Sequence, residues 1–149
     1  LSWLLYCVCP SDDGGINKYM DHEIAYILYN KNYQNITKLM IPDSYIIPEN
    51  KSNSRPEVKN PVFSFVNNRL NMKFSMREKN IIWNEKIIEE INNLKNIIES
   101  SHDYHLTYKL QAGQGVVTNN VIHMRTAFTN SKNKNRLLYR LRSKIRVSC

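Results

Sequence analysis

The stretch that decides the fold is Gly113–Phe128, GQGVVTNNVIHMRTAF, followed shortly by Arg136–Arg140, RLLYR. The first stretch opens with a glycine turn and continues in β-branched residues, which favour a strand. A histidine, His123, follows directly after Val121 and Ile122. The RLLYR segment is also rich in strand-forming residues. The end of the chain is therefore predicted to be strands joined by short loops.

Three segments outside this stretch also have the composition of strands. An apolar segment that ends at Pro10 is predicted to be a buried strand. Two short apolar segments around an Asn-Asn-Arg turn are predicted to form a hairpin. In a further segment, apolar and polar residues alternate as they do along a strand. These segments are Leu1–Cys9, Val62–Phe74 with its turn at 67–69, and His105–Leu110.

Two segments have the apolar spacing of helices. One runs from about Asp21 to Met40, with a break in its asparagine-rich part. The other runs from about Asn84 to Glu99, carries an apolar stripe of isoleucine and leucine, and is predicted to have Asn84 as its N-cap. Between the helices, Ile41–Asn60 contains prolines among polar residues and is predicted to be an irregular loop.

Strands around few helices predict a fold that is mainly β with helical insertions. The natural candidate is the distal part of a jelly roll, also called a double-stranded β-helix. A chain of 149 residues is long enough to bury a core, and we expect one domain over residues 1–149. No segment approaches the roughly 18 consecutive apolar residues of a membrane span, so we expect no membrane partner.

The chain is basic, with a net charge of +8 and a pI of about 9.4. Such a charge permits a nucleic-acid partner. However, the sequence is crowded with Asn, Lys and Ile, as expected of an AT-rich genome, and it has no aromatic-plus-basic motif of the RNA-binding kind. A compositional origin is favoured, with binding through the basic tail as the alternative. The tail residues are Lys132, Lys134, Arg136, Arg140, Arg142, Lys144 and Arg146.

The cysteines give no sign of a metal site or a disulfide framework. Cys7 and Cys9 share one face of a strand, and Cys149 is terminal, but no second Cys or His pair completes a zinc pattern. Small core residues are the favoured interpretation. An odd number of cysteines without an export signal predicts reduced thiols and a cytoplasmic protein.

The block Gly113–Phe128 with Arg136–Arg140 resembles the C-terminal signature of the iron(II)/2-oxoglutarate-dependent dioxygenases of the taurine-dioxygenase type. That signature is a glycine turn, a strand that leads to His-x-Arg-Thr-Ala-Phe, and then Arg-x-x-x-Arg on the next strand. Leu4–Gly15 resembles the strand and Gly-Gly turn that follow the family's first iron ligands, and Met76–Trp83 resembles a segment ahead of its late helix. The resemblance covers nearly the whole chain but only the distal part of the family domain.

The resemblance implies a role for each residue of the candidate site. It makes His123 the distal iron(II) ligand, in a class that holds iron with two His and one carboxylate. It makes Arg136, on the adjacent antiparallel strand, the clamp for the far carboxylate of 2-oxoglutarate, which a planar guanidinium binds through two hydrogen bonds. Asn17 stands where the family commonly has a Thr that contacts 2-oxoglutarate. Arg140, taken to share a strand face with Arg136, is implied to face an anionic group of the substrate, while Arg125 matches the family in residue type.

The implied function is hydroxylation of a small-molecule substrate by O2, with oxidative decarboxylation of 2-oxoglutarate. The family's first two ligands come as His-x-Asp or His-x-Glu, and this sequence contains no such triplet. Since Leu1 starts in the strand that normally follows that motif, we expect the chain to begin just downstream of it. One protein ligand holds iron(II) poorly, so we expect the chain to be inactive alone. The alternative is a catalytically dead remnant or interaction domain. Without its neighbours, His123 would more often be a hydrogen-bonded core histidine than a ligand.

Overall fold

The structure of the chain, a computed structural model, describes residues 2–76, 80–119 and 121–147. Four positions or segments that the sequence analysis named lie outside these ranges: Leu1, 77–79, Asn120 and Cys149. The part of the chain that the structure describes falls into two compact units. One consists of Leu1–Asp21 with Tyr104–Cys149, and the other is His22–Asp103.

The described residues are mainly β with few helices, consistent with a jelly-roll-like fold. The strands are β1 (Ser2–Cys9), β2 (Asp13–Gly14), β3 (Asn17–Met20), β4 (Tyr45–Ile47), β5 (Val58–Asn60), β6 (Phe63–Val66), β7 (Arg69–Met72), β8 (Ile82–Trp83), β9 (Leu106–Tyr108), β10 (Gly115–Thr118), β11 (Ile122–Arg125), β12 (Phe128–Thr129) and β13 (Leu137–Ser143). The α-helices are α1 (His22–Asn32) and α2 (Ile88–Ser100), and 3₁₀ helices form at Ile36–Met40, Lys51–Asn53, Glu85–Ile87 and His102–Tyr104. No helix among the described residues is both long and apolar enough to span a membrane.

Within its described residues, the first unit contains two three-stranded antiparallel sheets. β1 is the central strand of one sheet, between β10 and β13, and β3 is the central strand of the other, between β11 and β9. The short strands β2 and β12 pair separately. Trp3 of β1 connects the two sheets, because its ring lies 6.2 Å from that of Tyr19 on β3 and 4.9 Å from that of His123 on β11.

The prediction of a strand at the start of the chain is confirmed, but the prediction that it is buried is wrong for one face. Trp3 and Cys7 are buried on the inner face, whereas Tyr6 and Val8 are 41% and 39% exposed on the outer face. Successive residues of a strand point to opposite faces, so a continuous apolar run does not require both faces to be covered.

The second unit packs α1 and α2 with the hairpin of β6 and β7. The predicted hairpin is confirmed. Its turn is Asn67-Asn68, with φ values of +51° and +59°, because Arg69 already begins β7. Two successive positive φ values are typical of a type I′ turn, whose backbone fits the right-handed twist of the two strands that it joins. Asparagine adopts positive φ more readily than most residues do.

The second predicted helix is confirmed, together with its cap. A 3₁₀ turn at Glu85–Ile87 leads into α2, and the side-chain oxygen of Asn84 accepts a hydrogen bond of 3.1 Å from the backbone N–H of Lys86. The apolar stripe provides much of the unit's core. Its buried members are Ile87, Ile91, Leu94, Ile97 and Ile98.

The first predicted helix is interrupted where the sequence indicated a break, since α1 ends at Asn32 and a 3₁₀ helix forms at Ile36–Met40. The prediction of an irregular loop over Ile41–Asn60 is wrong in part. β4 and β5 pair there, and β4 also pairs with β8. The prolines fall outside these strands, so they do not remove any of the N–H groups that the ladders use.

Candidate active site

The site is organised by a Gly-Gly turn that docks on the segment just after His123. The backbone N–H of Gly15 donates to the carbonyl oxygen of Ala127 at 3.0 Å. Ile16 and Thr126 bond twice, since Ile16 N–H donates to the Thr126 hydroxyl and Thr126 N–H donates to the Ile16 carbonyl, each at 3.0 Å. The two blocks that carried the resemblance, far apart in sequence, are therefore one structural unit.

Glycine is required at the point of closest approach. Gly14 has a φ of +64°, and a Cβ there would lie 2.0 Å from the carbonyl oxygen of Ala127. Side chains disfavour this backbone region, and no side chain fits at that distance from a backbone oxygen. Sequence reasoning identified the turn but missed the role of Thr126, although its place inside the motif was a usable signal.

Asp12 fixes the same turn to the loop that leads to Arg136. Its carboxylate accepts a hydrogen bond of 2.6 Å from Ser131 N–H and pairs with the Lys134 ammonium at 3.1 Å. The bond from Ser131, followed by that from Lys134, lowers the pKa of Asp12 to about 2. The Asp12 backbone carbonyl also accepts a hydrogen bond from Lys109. Asp12 therefore links the Gly-Gly turn to the loop before Arg136 and to Lys109.

A small cleft in the first unit brings together two of the residues assigned to 2-oxoglutarate. Asn17 and Arg136 both line it, together with Lys109 as a further polar group and with Cys7 and Leu138 on its apolar side. The presence of Lys109 and Cys7 was not foreseen. Lys109 belongs to no motif, and although Cys7 lies in the first segment of the resemblance, only the pairing of β1 with β13 places it beside Leu138.

Arg136 is half-buried, and its guanidinium lies 4.9 Å from the centre of the Phe128 ring. Burial, and after it the positive charge of Arg125, lower the pKa of Arg136 below the usual arginine value. An arginine remains charged despite such a shift. Within the described ranges, no carboxylate forms an ion pair with Arg136. A partly desolvated cation at a polar cleft is suited to binding an anion.

Asn17 is 6% exposed and lies in the cleft with its amide nitrogen 3.5 Å from the carbonyl oxygen of Tyr108. This distance is at the outer limit for a hydrogen bond, so the contact is weak. The cross-strand partner of Asn17 is Arg125, on β11. Residues directly opposite each other in a ladder share a face, so Arg125 stands on the side of the sheet where Asn17 lies.

His123 lies two residues before Arg125 in the same strand, opposite Tyr19, and therefore shares this face. Its side chain is exposed, so it is not a buried core histidine. Its Nδ1 lies 3.1 Å from the carbonyl oxygen of Val121. Donation from Nδ1 to that oxygen leaves the lone pair of Nε2 available, which is the arrangement typical of a metal-binding histidine.

Two buried donors close to His123 have no hydrogen-bond partner among the described residues. They are the indole Nε1 of Trp3 and the hydroxyl of Tyr19. Buried polar groups are nearly always paired, so such groups indicate that a further acceptor belongs here. The described residues contain no group of three or more His, Cys, Asp or Glu side chains that could hold a metal. His123 thus fits iron(II) as a single ligand.

The expectation that His123 and Arg136 lie on adjacent antiparallel strands is wrong. β11 pairs with β3, whereas β13 pairs with β1, and Arg136 precedes the first residue of β13. The reason is that the chain first pairs β12 with β2 after leaving β11, and only then crosses to the other sheet.

Strand alternation does not relate Arg140 to Arg136, so their shared face stays a prediction. Arg136 is not in β13, and the ladder between β1 and β13 has an irregularity between Cys7 and Cys9. Arg140 lies opposite Leu5, is exposed, and does not line the cleft that holds Arg136.

No protein-family model matches the sequence, and no curated protein matches it either. Solved structures do match, each over 93% of this chain. Asparagine oxygenase in complex with Fe(II), 2S,3S-3-hydroxyasparagine and succinate has a TM-score of 0.67 at 18% identity, and a second asparagine oxygenase structure has 0.66 at 16%. The non-heme iron oxygenase OrfP has 0.59 at 11%.

The chain has the fold of these non-heme iron oxygenases. It spans less than half the length of each, since it covers 44%, 42% and 46% of the three chains. At these identities, the likeness is one of fold. The roles of His123, Asn17, Arg136 and Arg140 stay predictions that rest on the sequence resemblance.

Gly14→Ala is expected to destabilise the first unit more than Gly113→Ala. Both residues have positive φ, but a Cβ at Gly113 meets open space, whereas one at Gly14 strikes the Ala127 carbonyl. The control, Gly113→Ala, should lower the free energy of unfolding by about 1–2 kcal/mol through backbone strain alone. Urea unfolding of the two variants measures the difference, and equal losses would show that the turn does not dock as described.

The carboxylate of Asp12 should contribute stability that is lost in acid. Because its pKa in the folded protein is lowered from 3.8 to about 2, this contribution is complete above the unfolded value and disappears as pH falls through about 2. The urea midpoint of Asp12→Asn should therefore fall less steeply than that of the wild type as the pH is lowered across this range. The control is Asp13→Asn, at a neighbouring carboxylate that takes part in none of these contacts, and it should keep most of the wild-type dependence. An Asp12→Asn profile identical to wild type would contradict the anchoring role.

Proposed function

We propose that this chain is the distal part of an iron(II)/2-oxoglutarate-dependent dioxygenase of the taurine-dioxygenase type, with a double-stranded β-helix as its framework. The enzyme would hydroxylate a small-molecule substrate with O2. The observation that carries the proposal is the half-buried guanidinium of Arg136, which has no ion pair in the described residues and shares a cleft with Asn17. The fold of the chain supports the same reaction class.

Arg136 would bind the far carboxylate of 2-oxoglutarate. A guanidinium presents parallel N–H donors that match a carboxylate, and partial burial strengthens such a bond relative to one in water. Phe128 restrains the guanidinium from one side. The amide of Asn17 is held by only a long contact to Tyr108, so it can turn its donor to the same ligand.

His123 would hold iron(II) through Nε2, with Nδ1 fixed by the Val121 carbonyl. Iron(II), together with 2-oxoglutarate and O2, supplies the oxidising power of such enzymes, and the protein supplies binding and orientation. The unpaired donors of Trp3 and Tyr19 would hydrogen-bond to an acceptor of the assembled site. Trp3 also packs on the His123 ring and limits its rotation.

The remaining iron ligands would come from a His-x-Asp or His-x-Glu of the full-length protein, since this sequence holds no such triplet. One histidine binds iron(II) weakly, so this chain alone would be inactive. Arg140, exposed on β13, would meet an anionic group of the substrate. The free thiols of Cys7 and Cys9 suit a cytoplasmic protein.

Arg136→Gln should weaken binding of 2-oxoglutarate to this chain by roughly tenfold or more, the cost of losing a hydrogen bond to a charged group. Titration followed by the NMR signals of arginine Nε–H groups detects even millimolar binding. Arg142→Gln, which removes an exposed charge from β13, is the matched control and should bind as wild type does. Equal binding by Arg136→Gln and wild type would contradict the assignment. No binding by wild type would favour the catalytically dead remnant.

His123→Ala should lower the iron(II) affinity of the full-length protein by at least tenfold, measured by anaerobic calorimetry. Loss of one of three protein ligands has a larger effect than changes to the groups that support them, which cost about 10–100-fold. His102→Ala, in the second unit, is the control and should leave iron binding unchanged. Retention of tight iron binding by His123→Ala would remove His123 from the metal site.

A further inference from the structure

The ring of Phe128 is contacted by two guanidinium groups. The Cζ atom of Arg125 lies 4.6 Å from the ring centre, and that of Arg136 lies 4.9 Å from it. Both distances are within the range of cation–π attraction. The two cations come from different elements, β11 and the loop before β13, so their convergence on one ring is a product of the fold.

No negative charge balances this pair within the described residues. The hydrogen bond of the Arg125 guanidinium runs from Nη1 to the carbonyl oxygen of Thr126, a neutral group, at 3.0 Å. The positive charge of Arg125 contributes to lowering the pKa of Arg136, which is consistent with repulsion between them. Two like charges on one ring are favourable only if an anion joins them or if the ring compensates for their repulsion.

The arrangement is held by backbone pairing. Phe128 lies opposite Gly14 in the β2–β12 ladder, which is part of the docked Gly-Gly turn. Arg125 lies opposite Asn17, which lines the cleft together with Arg136. Arg125 does not itself line that cleft, but the contact of both guanidinium groups with the Phe128 ring holds them in place before an anion binds. Preorganisation of this kind raises affinity because less freedom is lost on binding.

We propose that Arg125 and Arg136 bind one carboxylate group together, with Phe128 as the common support of both side chains. This deepens the proposed function and rests on it, because the carboxylate would be the far one of 2-oxoglutarate. Arg125 is then a second co-substrate-binding residue, and Phe128 is a positioning residue that does not touch the ligand. The anion would offset the repulsion between the two guanidinium groups.

The test is titration of the 149-residue chain with glutarate, a dicarboxylate without the 2-oxo group, so that no metal is needed. The Nε–H signals of both Arg125 and Arg136 should shift along one binding curve. Arg125→Gln should weaken glutarate binding roughly tenfold and Arg125→Lys by less, because a lysine keeps the charge but not the fork. Arg142→Gln is again the control.

A second set of variants separates positioning from folding. Phe128→Leu should weaken glutarate binding several-fold, and Phe128→Tyr should restore it, because tyrosine keeps the ring face. Urea midpoints of both variants show whether they remain folded. Weaker glutarate binding by Phe128→Leu at an unchanged urea midpoint, restored in Phe128→Tyr, is expected of a positioning residue. Weaker binding that Phe128→Tyr does not restore would overturn this role of the ring.

The outcomes distinguish this inference from the proposed function. If Arg136→Gln loses binding while Arg125→Gln binds as wild type does, the paired site is overturned and Arg136 remains the clamp. If inorganic phosphate shifts both signals as strongly as glutarate does, the site is a general anion site and its assignment to a carboxylate is overturned. If the wild-type chain binds neither glutarate nor 2-oxoglutarate, the proposed function fails and this inference fails with it.

Discussion

The site depends on the docking of one tight turn against one backbone segment. Gly14 and Gly15 approach the carbonyl of Ala127 so closely that only glycine fits at position 14, and Ile16 and Thr126 bond twice beside them. These contacts join the beginning of the first unit to its end. They set the register of β11 on β3 and of β12 on β2, which in turn places Arg125, His123 and Phe128.

The contacts around this turn also bring positively charged side chains close to one another. Asp12 neutralises Lys134 and binds the loop that leads to Arg136, but Arg125 and Arg136 converge on Phe128 without a carboxylate among the described residues. A folded chain normally avoids such an arrangement, because repulsion and partial burial both cost free energy. Local rules of stability are most often broken at functional sites, and here the unbalanced charge coincides with a polar cleft.

Much of the fold could be predicted from sequence, because its signals are local. The stripe of α2, its cap at Asn84 and the Asn67-Asn68 hairpin depend only on neighbouring residues. Which strands pair is not a local property, and the motif could not show that the chain changes sheets between Phe128 and Leu137. The resemblance assigned Asn17 and Arg136 to one ligand, and the fold places them in one cleft, but the convergence of Arg125 on Phe128 had no signal in the spacing of residues.

His123 and Arg136 are proposed to belong to one oxygenase site. The most direct measurement is a crystal structure of the full-length protein, grown without oxygen in the presence of iron(II) and 2-oxoglutarate. We expect iron on Nε2 of His123 and the far carboxylate of 2-oxoglutarate on the guanidinium of Arg136. Iron bound without His123, or a 2-oxoglutarate molecule whose carboxylates are both held by other residues, would contradict it.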